Sequence, residues 1–376
     1  MSAPTPQPGI LDIKPYVAGA SSASSTPGTH VSRLASNESP LGPSPRAIEA
    51  YKQAADTLHR YPDGGASALR AALAERHGID AQGIVCGNGS DELLALLAKC
   101  YAGPGDDVLF SEFGFLIYPI ATRAAGATPV VAPEPDLRAD IEAFARLAGA
   151  NTHMVYLANP NNPTGSYITA PELRDLHGRL PDETLLVIDA AYAEYVMADD
   201  YDAGFTMVED FDNVVITRTF SKLYGLAGLR LGWAYCPPAV ADVLNRVRGP
   251  FNVTAPALAA GLAALGDVAH AEAAREHNAR WLPWLATELR ALGLVVHPSV
   301  ANFILVEFPE SSNGPEPSKG QGGAIAALAH LSSHGVIARD MGGYGLPDCL
   351  RIGIGTEQDM RAVVAACAEF LSLSEG

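Results

Sequence analysis

Through the middle of the chain, short apolar runs alternate with helical periodicities. Ile84–Cys86, Asp107–Ser111, Thr128–Ala132, His153–Ala158, Leu185–Asp189, Val214–Thr217 and Gly232–Cys236 read as strands. Most are continuously apolar rather than alternating, the mark of strands covered on both faces. Asp91–Cys100 and Ala170–Arg179 read as helices between them, and Pro45–Leu58 and Ala66–His77 as helices before them, the latter stopped by Gly78. This alternation predicts an α/β fold whose mostly parallel sheet is sandwiched by helices, with room for an antiparallel member.

The texture changes after Pro250. Ala255–Leu265 and Ala269–Leu292 are long Ala-rich helical stretches, followed by strand-like runs at Leu294–His297, Ala301–Glu307, Gly335–Ala338 and Leu350–Gly353 around a helix at Ala324–Ser333. A smaller α+β domain is expected there. The division is an arm over residues 1–40 packing on the small domain, a large domain over 41–250, and a small domain over 251–376. Residues 1–30, rich in Ala, Ser, Pro and Gly, are expected to be partly flexible, with ordered structure from about Val31. Pro309–Gly323, equally polar and Gly/Pro/Ser-rich, reads as a surface loop.

Composition narrows the partners. The 376 residues suit about two domains. A net charge of −17 argues against non-specific binding to nucleic acid or to an anionic membrane. No apolar run is long enough to span a bilayer, and the N-terminus lacks the pattern of a secretory signal. The five cysteines are scattered and form no CxxC pair, so free thiols in a reducing cytoplasm are expected rather than a disulfide or zinc framework.

Six local features carry candidate chemistry, and each alone has an ordinary structural explanation. Gly87–Glu92 (GNGSDE) lies between strand and helix, where small residues let backbone N–H groups approach an anion; it also reads as a helix start capped by Ser90. Asn159–Gly165 (NPNNPTG) follows a strand with two Asn-Pro steps, in a position where α/β sheets bind ligands, and Asn162 offers a held amide. Asp189 ends an apolar strand with Tyr192 close behind, and reads either as a helix cap or as the partner of a cation. Lys222, in Thr217–Gly225 (TRTFSKLYG), is a solvated loop lysine or a desolvated Schiff-base nucleophile. Arg230, in GLRLGW, and Arg351, in LRIGIGT, sit in apolar surroundings where a guanidinium needs an anion. One lysine, one acid, a Gly/Ser cradle and two such arginines together fit pyridoxal phosphate, which needs a lysine and an acidic partner at its ring nitrogen.

The ordered set of Asn37–Pro40 (NESP), Tyr61-Pro62, GNGSDE, NPNNPTG, Asp189–Tyr192 (DAAY), TFSK, GLRLGW and LRIGIGT resembles the fold-type-I pyridoxal-phosphate aminotransferases from about Lys14 onward. The Pro15–Val17 and Leu34–Gly42 segments point to the histidinol-phosphate branch. The resemblance implies that Lys222 binds the cofactor and moves the proton between substrate Cα and the cofactor carbon. It implies Asp189 at the ring nitrogen, Tyr192 and Asn162 at the ring hydroxyl oxygen, and Phe115 on the ring face. Ser90 and Asp91 (through their backbone N–H groups), Thr219, Ser221 and Arg230 would hold the phosphate, joined by Tyr61 from a partner subunit in a homodimer. Arg351 would hold the substrate's carboxylate or phosphate, with Arg339, Tyr16 and Asn37 as further substrate contacts. Three positions depart from the usual pattern: Ala190 replaces a carboxylate, Thr219 replaces a serine, and the Phe113–Tyr118 loop (FGFLIY) is unusual.

The implied reaction is a cytoplasmic transamination between histidinol phosphate and 2-oxoglutarate, giving imidazole-acetol phosphate and glutamate in histidine biosynthesis. An aromatic amino-acid aminotransferase and a threonine-phosphate-type decarboxylase are the alternatives; a non-enzymatic regulator fits poorly with Lys222, Asp189 and Arg230 all present. His330 and His334 stand four apart with no third ligand evident, and read as solvent-facing helix residues rather than a metal site.

Overall fold

The computed structural model describes residues 4–17, 19, 22–23, 30–308 and 323–375. The strands are β1 (Ser32–Arg33), β2 (Ile84–Gly87), β3 (Asp107–Ser111), β4 (Thr128–Ala132), β5 (Thr152–Ala158), β6 (Leu185–Asp189) and β7 (Val214–Thr219). They continue with β8 (Gly232–Tyr235), β9 (Val295–Val296), β10 (Phe303–Glu307), β11 (Val336–Ile337), β12 (Arg339–Asp340) and β13 (Cys349–Gly353). The helices are α1 (Pro45–Ala54), α2 (Ser67–His77), α3 (Ser90–Tyr101), α4 (Ile117–Ala124), α5 (Ile141–Leu147) and α6 (Ala170–Arg179). They continue with α7 (Phe205–Asp210), α8 (Pro238–Val247), α9 (Ala255–Gly266), α10 (Val268–Ala291), α11 (Gly323–Ser333) and α12 (Glu357–Glu375).

Seven strands form the main sheet in the order β2-β8-β7-β6-β5-β3-β4. Only β8 runs antiparallel to its neighbours. The central strands β5, β6 and β7 are buried almost throughout, as continuous apolar runs require. Two apolar layers cover the sheet. On one side, side chains of α3, α4 and α8 pack with Val85, Val108, Tyr156, Val187 and Val215. On the other, side chains of α2, α6 and α9 pack with Leu109, Val155, Leu186, Ile188 and Ile216. A second sheet, β12-β13-β10-β9, has its own core beneath α10, α11 and α12. The short β1 pairs in parallel with β11 in a separate two-stranded sheet, so the chain before α1 is tied to the segment that follows α11.

Several expectations shift on inspection. The predicted helix 45–58 ends at Ala54 and continues as a single 3-10 turn, Ala55–Thr57. Ser90 is the first residue of α3 rather than its cap; Gly89 caps it, at φ +82°. Asp189 caps no helix; it closes β6. Structure begins earlier than Val31, because Ile10–Asp12 form a 3-10 turn. The loop 309–323 lies outside the described residues except for Gly323, which starts α11. The His330/His334 pair is not simply solvent-facing. His330 is part-buried beside Phe370, 5.6 Å between rings, and Glu369 of α12 lies against His334.

Beneath the sheet, on the face away from the cavity described below, Arg218 of β7 pairs with Glu194 at 2.8 Å and is only 4% exposed. Its guanidinium also lies over Phe205 and Trp233 at 5.5 and 5.8 Å. The pair ties the turn after β6 to β7. Glu194→Ala would strand a buried guanidinium and is expected to cost about 3–5 kcal/mol, read as a lower urea midpoint. Replacing both residues together with apolar ones should cost less.

Candidate active site

The ends of the parallel strands gather the chemistry. Loops after β2, β3, β5, β6 and β7 leave the sheet at their carboxyl edge, where open α/β sheets form a ligand crevice. There they enclose a cavity of about 250 Å³, closed from the other side by residues of β12, β13 and the segment after β1.

Asp189 forms the floor. It is 6% exposed. The Tyr118 hydroxyl donates to its Oδ2 at 2.9 Å and the Thr217 hydroxyl to its Oδ1 at 3.2 Å. Burial raises its pKa to about 6 despite these donors. A cationic ring nitrogen above the carboxylate would reverse that penalty. Lys222 follows β7 and projects into the same space, its Nζ donating to the Ser36 carbonyl at 3.0 Å and lying 5.6 Å from the Tyr192 ring centre. The Tyr192 hydroxyl accepts from Asn37 Nδ2 at 3.0 Å.

One end of the cavity is an anion cradle. Ser90 opens α3, whose N-terminal N–H groups and dipole face the cavity. Arg230 stands at φ +49°, an uncommon backbone for an arginine. Its guanidinium reaches Ser221 Oγ at 3.3 Å and Asp91 Oδ2 at 3.0 Å. Thr219 Oγ1 accepts from the Ser221 N–H. The glycines are required by these approaches. A Cβ on Gly89 would sit 2.6 Å from Arg230 Nη2, and one on Gly232 would sit 2.4 Å from the Ser90 nitrogen.

The opposite end is cationic as well. Arg351 of β13 is 6% exposed; its Nη1 donates to Asn162 Oδ1 and its Nη2 to the Ala35 carbonyl at 2.6 Å, while its buried Nε has no partner. Arg339 lies over the Tyr16 ring at 5.6 Å and donates to the Val17 carbonyl. Tyr16 meets Phe115 edge-on, 6.4 Å between centres. Asn37, at φ +54°, keeps a buried Oδ1 without a partner.

The structure thus brings together Lys222, Asp189, Tyr192, Ser90, Asp91, Phe115, Asn162, Thr219, Ser221, Arg230, Arg351, Arg339, Tyr16 and Asn37 around one cavity. Tyr61 is not among them: it is 82% exposed and stacks on Phe251 at 4.6 Å.

Sequence reasoning passed over three side chains. Tyr118 and Thr217 hold Asp189, and only the structure pairs them with it. Glu134, 3% exposed, accepts from the Phe113 N–H at 2.6 Å and from Asn161 Nδ2 at 3.1 Å. It therefore joins the loop that carries Phe115 to the loop that carries Asn162. Burial pushes its carboxyl up to about 7. Nothing in the surrounding PEP tripeptide marks it.

A charge penalty at Asp189 has a measurable sign. Its folded pKa is raised from 3.8 to about 6, so the folded protein binds that proton more tightly than the unfolded chain. Stability from this group falls as pH rises from about 4 to about 6 and is level above. Asp189→Asn should therefore melt higher than the wild type at pH 8 when both lack ligand. The gap should shrink towards pH 4, as followed by calorimetry.

Comparison with known proteins gives a consistent result. The description "Aminotransferase class I and II" matches residues 29–366. The chain is 56% identical over 371 residues to a histidinol-phosphate aminotransferase of Paramagnetospirillum magneticum, covering 99% of each chain. It is 55% identical over 372 residues to another from Rhodospirillum centenum, again covering 99% of each. Among solved structures it resembles the histidinol-phosphate aminotransferase of Sinorhizobium meliloti in complex with pyridoxal-5'-phosphate, with TM-score 0.83, 31% identity and 92% of each chain covered. On this evidence the chain belongs to the class I and II aminotransferase family.

Proposed function

We propose that this chain is a pyridoxal-phosphate-dependent aminotransferase that exchanges the amino group of L-histidinol phosphate with 2-oxoglutarate, in histidine biosynthesis. The observation that carries the reading is one cavity holding Lys222, a buried Asp189 and a cationic cradle at each end. It lies in a chain more than half identical, along nearly its whole length, to proteins of that name.

The residues present fit the cofactor. A buried carboxylate with a raised pKa awaits a cationic nitrogen, two glycines leave room for backbone N–H groups and Arg230 to close on a phosphate, and Asn37 and Arg351, which line the remaining space, each keep a buried polar atom without a partner. Bound pyridoxal phosphate supplies an electron sink for the charge left at the substrate carbon that loses its proton. Asp189 would keep the ring nitrogen protonated, with Tyr118 and Thr217 holding the carboxylate in place. Tyr192 and Asn162 would orient the ring hydroxyl oxygen, and Phe115 would cover one ring face. Ser90 and Asp91, through their backbone N–H groups, would bind the phosphate together with Thr219, Ser221 and Arg230.

Lys222 would bind the cofactor between turnovers and carry the proton to and from the substrate carbon. Arg351 would bind glutamate's α-carboxylate and, in the other half-reaction, the phosphate of histidinol phosphate; both are compact oxyanions suited to a planar fork. Arg339, Tyr16 and Asn37 would complete the substrate end and exclude water.

The wider assignment is a cytoplasmic homodimer of two-domain subunits. Tyr61, Phe251, Leu58 and Tyr51 are exposed apolar side chains, and Tyr61 would reach the neighbouring subunit's phosphate from that surface. The arm 1–40, the large domain 41–250 and the small domain 251–376 remain the proposed division. Helix α9 packs on α1, and α10 contributes side chains to the cores of both sheets. The five cysteines are unpaired, as suits a reducing compartment. Among the described residues no helix is long and apolar enough to cross a membrane.

Two measurements test this reading. Borohydride treatment of the holoenzyme should fix the cofactor's mass on the peptide containing Lys222, and Lys222→Ala should lower kcat by about 10³-fold or more. A Lys222→Ala protein that still turns over normally overturns the assignment. Separately, kcat/KM for histidinol phosphate should exceed that for phenylalanine. The reverse order would overturn the substrate while leaving transamination in place.

A further inference from the structure

Far from the cavity, α11 and α12 pack side by side over the small sheet through Ala327, Leu331, Val363 and Cys367. At one end of that seam stand His330 and His334, one helical turn apart, with Glu369 opposite. The two ring centres are 4.3 Å apart. One ligand atom from each of the three residues lies within 4.8 Å of the others. We propose that His330, His334 and Glu369 form a binding site for a divalent transition ion of the zinc type, which clamps α11 to α12.

The hydrogen bonds around the rings argue for a cation rather than a bare contact. Ser333 Oγ donates to the His330 carbonyl at 2.7 Å. His334 Nδ1 lies 2.9 Å from that same carbonyl and 3.1 Å from Ser333 Oγ, whose hydrogen is already used. Nδ1 must therefore carry the proton. His334 Nε2 then presents its lone pair, and it faces Glu369 Oε2 at 3.3 Å. Two acceptors so placed repel unless a positive charge lies between them. That charge is either a second proton on His334 or a metal ion.

His330 favours the metal. Its Nε2 is buried and has no hydrogen-bond partner. In His334 the backbone carbonyl of His330 on Nδ1 is the usual kind of partner that orients a histidine ligand through its other ring nitrogen. Zinc–nitrogen bonds of about 2.0–2.1 Å require the three side chains to close inward by rotation. Two imidazoles and a carboxylate suit zinc and leave a coordination position for water.

A second trio, His297, Glu307 and Cys349, is less suited. His297 is already bonded to Glu307 at 2.8 Å. Burial pushes the Cys349 thiol up to about 12, so proton release there is costly.

The test is calorimetric titration of tag-free, chelator-treated holoenzyme with zinc chloride in a non-coordinating buffer. The wild type should bind one Zn²⁺ per chain at this site and melt at a higher temperature with zinc present. His334→Ala and Glu369→Gln, both changes at exposed side chains, should each weaken that binding by about tenfold or more and abolish the thermal shift. X-ray absorption of the zinc-loaded wild type should show two imidazole ligands. Unchanged zinc affinity in His334→Ala, or no zinc binding by the wild type, would overturn the site and leave a protonated His334–Glu369 ion pair as the sole content of the contact.

Discussion

The centre of the molecule is organised by the need to keep one carboxylate buried. Asp189 ends the middle strand of the sheet, where an unpartnered charge would be expelled or neutralised. Tyr118 and Thr217 each give it one hydrogen bond, and these two residues come from α4 and from the adjacent strand β7. The stacking of Tyr118 on Tyr156 at 4.6 Å then fixes α4 against β5. Holding this acid in position therefore sets the relation of β5, β6, β7 and α4, and with it the directions in which Lys222 and Phe115 leave their loops.

The same economy shows in how the loops are joined. Glu134 grips the Phe115 loop and the Asn161 loop together. Asn159 closes its own loop by exchanging hydrogen bonds with Ile168. Arg218 and Glu194 pin the Tyr192 turn from below. Each anchor is a buried polar group whose partners lie 9 to 27 residues away, so loops that would otherwise fray are held in place.

This explains what could be read from the chain alone. The sheet, its helices and the residues that line the cavity announce themselves locally: a lysine among hydroxyls, an acid closing an apolar run, arginines flanked by glycine and leucine. Fourteen of the fifteen proposed site residues line one cavity. The supports do not announce themselves. Tyr118, Thr217 and Glu134 have meaning only through partners brought close by folding, and their neighbours in sequence say nothing of them. Cap positions also escaped, because Ser90 is a good cap by type while Gly89 alone admits the backbone angle and the space that Arg230 needs. Glu369 escaped for the same reason as the supports, being 35 residues from His334 and one helix away.

The overall charge of −17 describes the solvent face, and the cavity departs from it by bringing Lys222, Arg230, Arg339 and Arg351 together with three acids, Glu38, Asp91 and Asp189. One consequence lies in how Arg351 rests. Its fork is already engaged by the side-chain oxygen of Asn162 and the main-chain oxygen of Ala35, neutral acceptors drawn from two different parts of the fold. The protein thus carries an internal stand-in for an incoming anion. An incoming carboxylate or phosphate would have to displace that pair of dipoles, and such an exchange would favour charged over neutral molecules.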